Sequence, residues 1–107
     1  MKIESIREQV REGNYKLKSH VAMHALKEGF AREDIVETIL AGTIIEDYEQ
    51  AKRVLICGPT TLSEQTVVYL HVVCEYADPA YVAIVTTYLP DESMWENPPF
   101  KRRKRRK

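Results

Sequence analysis

The chain has no apolar run approaching the roughly 20 residues that a bilayer-crossing helix needs, so neither a transmembrane helix nor a membrane partner is expected. Met1-Lys2-Ile3-Glu4 opens it without the apolar centre of a secretory signal, which predicts a cytoplasmic protein. Cysteine is scarce: Cys57 and Cys74 both lie in β-like apolar runs. In a reducing compartment they read as two buried thiols rather than a disulfide. There is no closely spaced cysteine pair, no Glu-flanked metalloprotease motif and no internal repeat. Glycine is sparse too, and all four fall at boundaries, Gly13, Gly29 and Gly42 as helix stops and Gly58 in a turn. What is present is an apolar content of 44% over 107 residues, which places the chain with single globular domains and away from disorder.

The formal net charge of zero hides a split. Residues 101–107 are all Lys or Arg, seven of the 16 in the chain; the other nine face all 16 Asp and Glu, so residues 1–100 carry −7 against +7 in the tail. A dense cationic run attracts phosphates or an acidic protein surface, and this one is long enough to reach back over its own acidic body. Arg102, Arg103, Lys104 and Arg105 are therefore candidates for RNA or phosphate binding.

Helical spacing of Ile3, Ile6 and Val10 predicts a helix over 3–12. Tyr15 and Leu17 alternate with lysines as a brief extended segment. Ser19 reads as the N-cap of a second helix, 20–28, with Val21, Ala22, Ala25 and Leu26 on its apolar face. A third helix over 32–41 has Glu33 and Asp34 in its first turn, where the helix dipole favours negative charge, and Ala31 as a poor cap. The period then falls to two over 43–48, 52–57, 66–76 and 81–88. Short connections between these runs imply hairpins. The expected architecture is α+β: N-terminal helices on one face of a four-stranded antiparallel meander, as one domain over 1–99, with a flexible basic tail over 100–107.

Few residues can carry chemistry. His20 stands at the start of the second helix, where the positive end of the dipole opposes a cation and suits an imidazole that must accept a proton. Set against this is a cap-region histidine bonded to a backbone carbonyl. His24 lies one turn on, so the two rings share a helical face; this is half a zinc site at most, and no metal or other cofactor is expected. His71 sits in the most apolar strand, sharing a face with Tyr69, Val73 and Glu75. It is either a satisfied polar spot or a catalytic group on a rigid platform. Thr87 and Tyr88 in the next strand offer a hydroxyl and a phenol beside it. Glu46 and Asp47, at the end of the first of the four strands, are a solvated strand end or orienting carboxylates for a histidine. Trp95 anchors the C-terminal segment or stacks on a base, anchoring being favoured for a lone Trp.

Taken in order, Tyr15…Ser19-His20, Gly29-Phe30…Asp34-Ile35…Gly42, Ile44-Ile45-Glu46-Asp47-Tyr48, Leu70-His71-Val72-Val73-Cys74 and Thr86-Thr87-Tyr88…Pro90, then Trp95 and a basic end, resemble the domain-of-unknown-function family 4258 of small bacterial and archaeal proteins. The resemblance spans about residues 15–105. It implies a relative of the compact RelE and BrnT ribonuclease-type toxins, with a helical layer on a curved antiparallel sheet. Such toxins cleave RNA without metal, through a base, an acid and cationic groups around the phosphate. It also implies a partner, a small cognate antitoxin-like protein of zinc-finger type encoded beside it. By position, His20, His71, Thr87 and Tyr88 match the polar residues of the family pattern and become the catalytic candidates. Ala31, where Ser or Thr is expected, and the acidic body of an RNA-binding protein both depart from that picture.

Two functions follow as expectations. One is a metal-independent endoribonuclease of toxin type, with RNA as substrate and His20 or His71 as base and acid. The alternative is a non-catalytic module that binds nucleic acid or protein through its tail.

Overall fold

A computed structural model describes residues 2–61, 67–91, 93–96 and 98–102. The apolar periodicity produces three helices, α1 (Lys2–Arg11), α2 (Ser19–Glu28) and α3 (Arg32–Ala41). Five strands accompany them: β1 (Tyr15–Leu17), β2 (Thr43–Tyr48), β3 (Arg53–Thr61), β4 (Val67–Glu75) and β5 (Val82–Tyr88). The layout is α+β, and the strand order is β1-β5-β4-β3-β2.

The expected four-stranded meander is therefore corrected to a five-stranded mixed sheet. Strands β2 to β5 form the antiparallel run. Tyr15, Lys16 and Leu17 then add a parallel strand, opposite Val82, Ala83 and Ile84. A three-residue segment is too short to show a period, and its partner is far along the chain, so pairing here is decided by tertiary structure.

Local details follow the side chains. Lys18 rather than Ser19 is the N-cap of α2, without a side-chain cap bond; Ser19 is already helical. Gly29 ends α2 at φ +86°, a left-handed conformation that glycine adopts without strain. At α3 the Asp34 carboxylate accepts from the Ala31 N–H at 2.7 Å, supplying what an alanine cap lacks. Where α3 passes into β2 the backbones of Gly42 and Gly58 nearly touch. A Cβ on Gly58 would lie 2.7 Å from the Gly42 Cα, so neither position admits a side chain.

One face of the sheet is the core. Val54, Ile56, Leu70, Val72, Cys74, Val82 and Ile84 meet Ile6, Val10, Val21, Ala25, Ile35 and Ile39 from the helices and Phe30 from the α2–α3 connection. Burying each of the larger of these contributes about 1.5–3 kcal/mol.

Two register shifts decide what the other face carries. In β2, Ile44 pairs with Ile56 but Glu46 with Leu55, so Ile45 is an extra residue. In β5, Ile84 pairs with Cys74 but Thr86 with Val73, so Val85 is extra. Paired residues share a side, and one inserted residue reverses the alternation beyond it. Ile44 and Ile84 thus face the helices, while Glu46, Tyr48, Thr86 and Tyr88 face away.

The chain beyond β5 folds back as a strap over this second face. Trp95 and Arg102 form an isolated antiparallel bridge, and the Glu96 N–H donates to the Lys101 carbonyl at 2.9 Å. Trp95 is buried, and Phe100 stands edge-on to Tyr69 with 5.3 Å between ring centroids. Phe100 and Arg102, both beyond the domain boundary expected at residue 99, thus lie against the sheet. Among the described residues no helix is long and apolar enough to cross a membrane.

Candidate functional site

The candidate residues fall into two neighbourhoods that meet at Tyr88. The first lies under the strap. His71 is fully buried at 0% exposure. Its Nε2 is 2.7 Å from the Pro99 carbonyl oxygen. A carbonyl only accepts, so the hydrogen-bond network assigns the ring proton to Nε2 and leaves Nδ1 to accept from the Tyr88 hydroxyl at 3.3 Å. The Trp95 ring stands perpendicular to the imidazole, 4.4 Å between centroids, and the Tyr88 ring lies 5.2 Å away. Burial holds the His71 pKa below the usual histidine value; the Pro99 carbonyl and Glu46 oppose that, and Arg102 reinforces it.

A second layer fixes the strap to β2. Arg102 donates to both oxygens of Glu46, at 2.7 and 3.1 Å. Its guanidinium lies 4.6 Å from the centre of the Trp95 ring, a cation–π contact. Tyr48 donates its hydroxyl to Glu46. These contacts, Arg102 first, hold the Glu46 carboxyl below the usual range, and the Arg102 pKa is raised by the same pair. Cys57, opposite His71 in the β3–β4 ladder, is a buried thiol whose pKa burial pushes up to about 11, so it remains protonated near neutrality. Among the described residues no buried side-chain polar atom lacks a partner. The cluster is closed and satisfied.

The second neighbourhood is open. A groove of about 610 Å³ runs between α2 and β5, lined by His20, His24 and Lys27 on one side and Thr86, Thr87 and Tyr88 on the other. Because β1 pairs only as far as Ile84, the upper half of β5 leaves room for it. His20 is exposed, and its Nε2 lies 3.2 Å from the carbonyl oxygen of Val85, the extra residue of the bulge. That carbonyl again requires an N–H, so in the neutral ring the lone pair lies on Nδ1. His24 lies one helical turn on, with Nε2 3.8 Å from the Glu28 carboxylate. Lys27 continues the same stripe.

The other candidates take different places. Thr87 is 1% exposed and donates its hydroxyl to the His71 carbonyl at 3.0 Å, tying β5 to β4. Tyr88 lines the groove and bonds His71, and burial raises its phenol pKa, so it stays protonated at neutral pH. No hydrogen bond or ring contact joins His20 to His71 among the described residues. Asp47 pairs with Lys2 at 2.6 Å and serves neither histidine, whereas Glu46 lies near enough to His71 to act on it electrostatically. Arg103, Lys104 and Arg105 lie outside the described residues. Among the described residues no group of three or more His, Cys, Asp and Glu is placed to hold a metal ion. Sequence reasoning considered His24 only as a metal ligand and passed over Lys27. The signal was their helical spacing from His20, which brings all three to one stripe.

Residues 17–89 match the family described as Domain of unknown function (DUF4258). The match covers more than half of the chain, and the protein belongs to that family. No curated protein and no solved structure matches. The matched span contains His20, His24 and His71, and it ends before Trp95, Pro99 and Arg102 of the strap.

Proposed function

We propose that this protein is the toxin of a toxin–antitoxin pair and acts as a metal-independent endoribonuclease, with its reactive centre in the groove between α2 and β5. The observation that carries the reading is His20: exposed, with Nε2 held by the Val85 carbonyl, in a groove that His24, Lys27 and Thr86 also line. RNA supplies its own nucleophile in the 2′-hydroxyl, so the protein needs a base to take that proton and positive charge beside the phosphate. His20 is the base. Tyr88, whose hydroxyl proton goes to His71, offers the substrate its ring.

The charge split bears on where RNA enters. Residues 15–28 hold Lys16, Lys18 and Lys27 against a single Glu28, a locally basic strip on an acidic body. The cationic tail adds phosphate affinity, although Arg102 is already engaged by Glu46. His71, with both ring nitrogens bonded and no exposure, supports Tyr88 rather than touching substrate. On this reading the antitoxin covers α2, where Met23 and Leu26 are 62% and 81% exposed beside the groove.

The test is to express the protein without its partner, purify it, and incubate it with RNA in EDTA. Cleavage that His20→Ala reduces by about 100-fold, within the usual contribution of a general base, supports the proposal. RNA left intact by the wild type ends it.

A further inference from the structure

His20 accounts for one proton. Cleavage of a phosphodiester moves two: one leaves the attacking 2′-hydroxyl, and one must reach the departing 5′-oxygen. We infer that His24 is the catalytic acid that supplies the second, and that Lys27 holds the phosphate between them. The inference rests on the ribonuclease reading of the groove.

The argument is geometric. His20 and His24 are one turn apart on α2, and Lys27 is the next position of the same stripe. Neighbours one turn apart have Cβ atoms roughly 5–6 Å from one another, a spacing that suits two groups flanking a single phosphate. The two rings are held differently. His20 gives its N–H to a backbone carbonyl and keeps a bare nitrogen, as a base requires. His24 makes no such bond to a carbonyl among the described residues, and its Nε2 lies 3.8 Å from the Glu28 carboxylate. It is side-chain exposed by 47%, so it can exchange protons with water after each turnover. Across the groove Tyr88 is tied back to His71 and Thr87 to a carbonyl, so of the groove's ring and phenol groups His24 is the one besides His20 that can meet the phosphate.

The step balances. Nδ1 of His20 takes the 2′-hydroxyl proton as the O2′–P bond forms. The P–O5′ bond breaks, and the His24 imidazolium gives its proton to O5′. The products are a 2′,3′-cyclic phosphate and a 5′-hydroxyl, with His20 charged and His24 neutral. Water resets both.

A substrate that needs no acid separates catalysis from structure. The purified full chain, in EDTA, is given a short RNA and the same RNA with sulfur in place of the scissile 5′-oxygen, whose thiolate leaves unprotonated. His24→Ala is expected to cut the oxygen substrate about 100-fold more slowly than wild type, yet the sulfur substrate within about fivefold of it. His24→Ala should also lose the alkaline fall of the wild-type pH–rate profile. An equal loss on both substrates, or no loss on either, overturns the assignment of His24 while leaving the ribonuclease intact. A wild type inert towards both overturns the ribonuclease reading and the assignment with it.

Discussion

His20, on α2, and His71, on the sheet face away from the helices, are in opposite circumstances. One lies on an exposed helix beside an open groove with a ring nitrogen free; the other is sealed between Tyr88, Trp95 and the Pro99 carbonyl with both nitrogens bonded. Residue type alone does not distinguish them. Burial and hydrogen bonding do, and on the proposed reading chemistry belongs to the first and stability to the second. Substitutions under the strap should therefore unfold the protein, and substitutions in the groove should leave it folded.

The largest stability loss is expected for Trp95→Ala. Removing a buried indole that packs on His71 and under Arg102 should cost about 3–5 kcal/mol, read as the urea midpoint by circular dichroism. An exposed, dispensable strap would give no change. His71→Ala comes next, at about 2–3 kcal/mol, because it leaves a void and strips the Pro99 carbonyl and Tyr88 hydroxyl of their partner.

The third test is pH. The folded pKa of His71 lies below its unfolded value near 6.5, so between those two values the unfolded chain binds more protons than the folded one. Stability is therefore full above about 6.5 and falls as pH drops towards the lower folded value. A proton on Nδ1 also removes the acceptor for Tyr88 and sets a cation near Arg102. Urea midpoints from pH 7.5 to 4.5 should show a fall that is smaller in His71→Asn; parallel curves would contradict it.

Smaller again is Glu46→Gln. The pair is partly solvated, with Arg102 half exposed, so its loss should cost at most about 1 kcal/mol. Trp95 is the chain's one tryptophan, and its fluorescence should report the loosened guanidinium directly. The smallest effect belongs to the groove. His20→Ala should change stability by no more than about 0.5 kcal/mol, as for an exposed residue. A larger loss would make His20 a structural residue and remove the contrast.

Much of this fold is written in local periodicity. Ile35, Ile39 and Gly42 mark α3, and the alternation around Leu70 to Cys74 marks β4 and shows that His71 faces away from the core residues. What stayed hidden depends on contacts between distant segments. Nothing in Ile44-Ile45-Glu46 or Ile84-Val85-Thr86 announces an inserted residue, yet those two insertions put Glu46 and Tyr88 on His71's side. The strap was half legible. A lone Trp95 after the last strand suggested an anchor, but Arg102 belonged to a run that read as a phosphate binder. Its capture by Glu46 depends on where the chain turns back. The site followed the same rule: spacing along α2 placed His20 and His24 on one face, and only the fold shows that a groove runs between them and the end of β5.

The most direct test of the central claim, that chemistry belongs to the groove and not to the covered face, is the initial rate of cleavage of a short single-stranded RNA in EDTA. Wild type and His20→Ala would be compared at one pH and one salt concentration. Cleavage by the wild type and a fall of about 100-fold in the variant are predicted. A variant as fast as the wild type, or a wild type that leaves the RNA intact, would contradict the account.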